Sequence, residues 1–86
     1  MYKIAALYHF TRFADPSALK PALLELCLQQ EVTGSLLLAQ EGINGTIAGP
    51  EAGIKAVLDH IKTLPGCADL AWKEAFRDHP PFGKIK

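Results

Sequence analysis

Residues Ala39 to Gly49, AQEGINGTIAG, join two apolar runs, Ser35-Leu36-Leu37-Leu38-Ala39 and Thr46-Ile47-Ala48, and hold three of the chain's seven glycines. Asn44-Gly45 between such runs predicts a β-hairpin, because Asn and Gly accept the positive φ of a tight primed turn. The flanking strands are then 34–39 and 45–48. Gly42 adds a second permissive position, and Gly49-Pro50 reads as a helix entrance. Turn sterics account for both central glycines. They do not account for Glu41, an acid that no turn type requires.

Moving outward from the hairpin, Lys3 to Phe13 is apolar on both parities, with Ile4, Ala6, Tyr8 and Phe10 on one and Ala5, Leu7 and His9 on the other. That pattern predicts a strand central in its sheet. Asp15-Pro16-Ser17 signals a helix start, with Asp15 or Ser17 as cap. A proline deep in a helix costs about 3 kcal/mol, so the regular helix is expected from Ser17 or Lys20, with Pro21 in its first turn. Leu19, Leu23, Leu26 and Gln30 follow at helical spacing, and Gly34 is expected to stop the helix. Beyond the hairpin, Ile54, Val57, Leu58, Ile61 and Leu64 recur at intervals of three and four, a second amphipathic helix that ends before Pro65-Gly66. Leu70, Trp72 and Phe76 share a parity in a last strand over 69–76.

The succession β-α-β-β-α-β is that of an α+β, ferredoxin-like (acylphosphatase-like) sandwich, with four antiparallel strands and two helices on one face. At 86 residues there is material for one core. The domain is expected over 1–77, and 78–86, with its two prolines, reads as a linker toward a further domain.

Nine basic and nine acidic residues balance, so any nucleic-acid contact must be local. Cys27 and Cys67 are distant in sequence and show no zinc spacing, which predicts a reduced, cytoplasmic setting. No apolar run is long enough to cross a bilayer. None of His9, His60 and His79 has an adjacent acid-plus-nucleophile arrangement, Asp59 beside His60 reading as a solvated helix face; Cys27 lies on the apolar side of a helix, and Cys67, though expected to be more exposed in its turn, has no basic activator. Thus no catalytic residue, metal site or cofactor is expected. Acylphosphatases use an arginine near a glycine-rich loop and an asparagine on a strand; Arg12 follows the first strand, but the glycine loop that should precede it is missing. Tyr8, Phe10, Trp72 and Phe76 are candidates for base stacking on a helix-free sheet face, with Arg12, Lys73 and Arg77 as local positive charge.

The hairpin LLLAQEGINGTIAG, the helix ADPSALKPALLELC and the closing WKEAF with HPPFGKIK together resemble the N-terminal domain of the rhodanese-containing tRNA uridine hydroxylase family. The resemblance covers essentially the whole chain. It implies a parent enzyme that performs oxygen-dependent 5-hydroxylation of the wobble uridine in tRNA, with a reactive cysteine on a following rhodanese domain that neither Cys27 nor Cys67 matches. It implies tRNA and that rhodanese domain as partners, and neither DNA nor a membrane. The expected contacts are Glu41 and Asn44 at the domain junction, with Arg12, Lys73, Arg77, Lys84 and Lys86 toward tRNA. The alternative is a structural module that packs against the rhodanese domain.

Overall fold

The computed structural model describes residues 2–77. The elements run β1 (Tyr2–Phe10), α1 (Pro16–Gln29), β2 (Thr33–Ala39), β3 (Gly42–Pro50), α2 (Glu51–Lys62) and β4 (Trp72–Arg77). The strands form one antiparallel sheet in the order β2-β3-β1-β4. The chain therefore leaves β1, crosses by α1 and returns two places away, with β3 inserted between: a split βαβ. This is the α+β sandwich that the succession of elements predicts.

The hairpin exists, but its turn is at Gln40-Glu41 rather than Asn44-Gly45. Ala39 pairs with Gly42, and Asn44 and Gly45 lie inside β3, paired with Leu37 and Leu36 on one side and with Tyr8 and Leu7 on the other. Their neighbourhood gives the reason. Gly42 and Gly45 have φ of 146° and 150°, and a Cβ on either would stand 2.1 Å from a carbonyl oxygen of the adjoining strand, that of His9 or of Ser35. The glycines thus serve close strand approach, a role that looks the same in sequence as a turn.

Other boundaries shift for identifiable reasons. Helix α1 starts at Pro16, with Asp15 in the N-cap position but making no side-chain cap bond, and Pro21 lies in its second turn. The amide missing at Pro21 leaves the Ser17 carbonyl unpaired in the helix, but both residues are exposed, so water can satisfy it. Gly34 does not stop the helix; it lies within β2. The stop is a Schellman motif, in which Val32 N–H donates to Cys27 O at 2.8 Å and Glu31 N–H to Leu28 O at 3.4 Å. Glu31 occupies the left-handed position, φ 57°, where glycine is usual. Strand β1 ends at Phe10, short of Phe13, and β4 begins at Trp72, after Leu70. Pro50 is the extended N-cap of α2 rather than part of its first turn.

The core lies between the sheet and both helices. Ile54, Val57, Leu58 and Ile61 of α2 meet Ala5, Leu7, Ile43 and Ile47 of the central strands. Strand β1 is apolar on both parities as predicted, yet only the Ala5-Leu7 parity is covered. Cys67, expected to be more exposed, is fully buried in the cluster that also holds Cys27.

Charged side chains tie β4 to β1 and α2. Lys3 Nζ lies 2.9 Å from Glu74 Oε1, the Trp72 indole N–H donates to the same oxygen at 2.7 Å, and the Lys62 ammonium sits 4.7 Å above the Trp72 ring. The Trp72 hydrogen bond, then Lys3, hold the Glu74 carboxyl below its ordinary value of 4.5. A carboxyl lowered in this way contributes stability above its unfolded pKa and loses it as pH falls through the folded one. Thermal melts of the wild type and Glu74→Gln should therefore differ at neutral pH, begin to converge as pH falls below about 4.5, and coincide only below the lowered folded value. A constant separation through that range would exclude the carboxylate as the cause.

Candidate functional site

The helix-free face follows from strand register, since directly opposed residues project to the same side. Opposite Tyr8 lies Asn44, and opposite Asn44 lies Leu37; the next row is Lys73, Ala6, Thr46 and Ser35. Tyr8 is 63% exposed, Phe10 70% and Leu37 60%. The Tyr8 and Phe10 rings meet edge to face with centroids 4.9 Å apart. Trp72 and Phe76, by contrast, pair with Leu7 and Lys3 and so share the helix side. The four-aromatic platform expected from sequence is therefore a two-aromatic one, because the β4 parity that carries Trp72 and Phe76 is the parity that faces the helices.

The Phe10 end of β1 is fixed to two other segments. Thr11 N–H donates to Glu41 O at 3.1 Å and Phe13 N–H to Gln40 O at 3.0 Å, which joins the β1–α1 loop to the hairpin turn. His9 Nε2 is 2.6 Å from Gly66 O, and Thr11 Oγ1 donates to Pro65 O at 3.3 Å, which joins the same end to the segment after α2. The buried Phe13 ring anchors the loop from below. Arg12 is thereby held at the hairpin end of the sheet, and it lines with Phe10 and Glu41 an open cleft of about 660 Å³. A smaller hollow of about 280 Å³ continues onto the face between Tyr8, Phe10, Leu37 and Asn44, again with Glu41 at its margin.

Four residues picked from sequence, Arg12, Glu41, Asn44 and Lys73, thus surround the exposed Tyr8-Phe10 pair. Arg77 does not join them. Its backbone pairs with Tyr2 at the opposite end of the sheet, roughly 25 Å away at about 3.3 Å per residue. Lys84, Lys86 and the expected linker over 78–86 lie outside the described residues. Among the described residues, Arg12, Glu41 and Lys73 have no ion-pair partner. Leu37 is the contributor that sequence reasoning missed, since an unbroken Leu36-Leu37-Leu38 run reads as buried. The signal was the period of two: Leu36 and Leu38 turn to the core and Leu37 to the open face.

Both thiols are buried, and desolvation pushes each above its ordinary pKa, away from the reactive thiolate. Among the described residues no three His, Cys, Asp or Glu side chains gather as a metal site, and no helix is long and apolar enough to cross a membrane. In the β1–α1 loop the Thr11 and Phe13 amides are given to the Glu41 and Gln40 carbonyls.

Residues 2–86 match the family described as the UPF0176 acylphosphatase-like domain. A tRNA uridine(34) hydroxylase of Ruegeria pomeroyi is 78% identical over all 86 residues, and one of Roseobacter denitrificans 67%; the chain covers 29% of each. One from Caulobacter vibrioides is 58% identical over 99% of this chain and 27% of its own length. The chain thus spans less than a third of these relatives. The crystal structure of full-length HypF in the phosphate- and nucleotide-bound form superposes on 99% of this chain, and 11% of that one, with a TM-score of 0.60 at 15% identity. At that identity the likeness establishes the shared fold.

Proposed function

The chain belongs to the UPF0176 acylphosphatase-like domain family, and from that premise we propose that it is the non-catalytic N-terminal domain of a tRNA uridine hydroxylase, holding tRNA on the open face of its sheet. In this reading the parent works in the cytoplasm and carries out oxygen-dependent 5-hydroxylation of the wobble uridine. A rhodanese domain beyond residue 86 supplies the reactive cysteine, and this domain forms one wall of the site. The names of the relatives support the reaction class. The observation that carries the role of this domain is the exposed Tyr8-Phe10 pair beside Arg12 and Lys73, cations with no ion-pair partner among the described residues. Rings of that kind stack on unpaired bases, and cations at their border meet the phosphates.

The division of labour is physical. Aromatic stacking supplies about 1–3 kcal/mol per base and tolerates any sequence. The cations make binding salt-dependent, with about one unit of slope for each phosphate that they neutralise. In the full-length protein, Tyr8→Ala with Phe10→Ala should weaken tRNA binding by roughly tenfold or more. Arg12→Ala should flatten the salt dependence. Glu41→Gln should lower 5-hydroxyuridine in tRNA, measured by mass spectrometry of nucleoside digests. Unchanged binding and modification in variants that keep their fold would reject the tRNA-holding role.

A purely structural reading, in which the face packs against the rhodanese domain, draws on the exposed Leu37. It predicts a different pattern: the same substitutions would lower the melting temperature of the full-length protein and leave tRNA affinity of the folded fraction unchanged.

A further inference from the structure

On the open face the chain forms a narrow slot with apolar walls and a polar floor. Leu37 and Tyr8 are both backbone partners of Asn44, so the three stand in one row across β2, β3 and β1. Opposed Cβ atoms lie about 5 Å apart, which sets the walls roughly 10 Å from each other. The walls project into solvent, whereas Asn44 between them is half-buried, and its carboxamide makes no hydrogen bond among the described residues. Toward the hairpin turn, Gly42 contributes no side chain to the floor. Phe10 rises beside it, and Glu41 stands at the mouth.

An aliphatic side chain seated here would leave the donor and acceptor of the amide without partners. A planar heterocycle entering edge-down would satisfy them, because a carboxamide offers an adjacent N–H and C=O to a base edge that carries an acceptor beside a donor. The hollow of about 280 Å³ has room for one such ring. We infer that this slot receives a single unpaired nucleobase of an RNA loop, hydrogen-bonded by Asn44 and flanked by Tyr8 and Leu37. The inference rests on the reading of the open face as an RNA surface and gives that surface one base-specific seat. The strand's phosphates then leave toward Arg12 in the adjoining cleft, which shares Phe10 and Glu41 with the slot. The Glu41 carboxylate, which only accepts hydrogen bonds, meets a ribose hydroxyl rather than a phosphate.

The test uses the full-length protein and a tRNA anticodon stem-loop in which one loop base at a time is replaced by an abasic site. At one position, removal of the base should weaken binding by about tenfold. In Asn44→Ala that penalty should fall to about twofold or less, with penalties at other positions retained. Leu37→Ala, which removes a wall and leaves the amide, should reduce the penalty at the same position. A stem-loop that binds without any position-specific penalty, or a penalty that persists in both variants, overturns the slot while the RNA-surface reading stands. Absence of stem-loop binding overturns both.

Discussion

Gly45→Ala should cost the domain about 2–6 kcal/mol, a large share of its total stability. The positive φ of 150° contributes one part of that loss, since an L-residue held there is strained by about 1–3 kcal/mol. The added methyl contributes the other. It would lie 2.1 Å from the Ser35 carbonyl oxygen and 2.9 Å from the Leu36 Cα. Both are backbone atoms of β2, so no side chain can turn aside, and the strands must separate at a cost of about 1–3 kcal/mol. A domain of this size has roughly 4–13 kcal/mol in total. Urea unfolding followed by circular dichroism measures the effect directly; a midpoint equal to that of the wild type would show that β2 and β3 do not approach as described. The consequence reaches function, because Asn44 is the adjacent residue and Leu37 lies on the strand that would be displaced.

Leu58→Ala should cost about 2–5 kcal/mol, the range for emptying a leucine site in a closed core. Leu58 is 2% exposed on the inner face of α2, the helix that packs over β1 and β3 and beside α1. The surrounding cluster is drawn from all of these elements. Collapse around the cavity would need several of them to move together, which places the expected loss away from the low end of the range. The proposed tRNA-binding surface lies on the other side of the sheet, so the folded fraction of Leu58→Ala should keep its affinity. Equilibrium unfolding tests the first expectation, and titration of the folded variant tests the second. A fully stable variant would mean that α2 does not cover the sheet.

The two substitutions also mark the difference between what periodicity revealed and what it concealed. The inward face of α2 was legible because a period of three and four is a property of the helix alone, and Ile54, Val57, Leu58 and Ile61 are all buried. The position of the hairpin turn was not legible. Asn44-Gly45 carries a strong local turn signal, yet the permissive backbone of Gly45 is used for approach to β2 while Gln40-Glu41 makes the turn. A glycine records that a side chain is unwelcome without recording which neighbour excludes it. The same limit explains Cys67, whose turn residues predict exposure but which the core cluster encloses. It also explains Glu31, a left-handed residue of a type that gives no sign of it.

The candidate site divides along the same line. Arg12, Glu41, Asn44 and Lys73 were each conspicuous in the chain, by charge or by departure from what a turn requires, but nothing local said that they share one face and its hairpin end. Trp72 and Phe76 were conspicuous too, and the register sent them to the helix side. Order of elements and helix faces are encoded in short-range patterns, because each depends on residues within a turn or two of one another. Which parity of a two-faced strand stays open, and which distant loops meet at its end, depends on pairings tens of residues apart. Those pairings are settled by the whole sheet closing at once over a single pair of helices, so they exist only in the folded molecule.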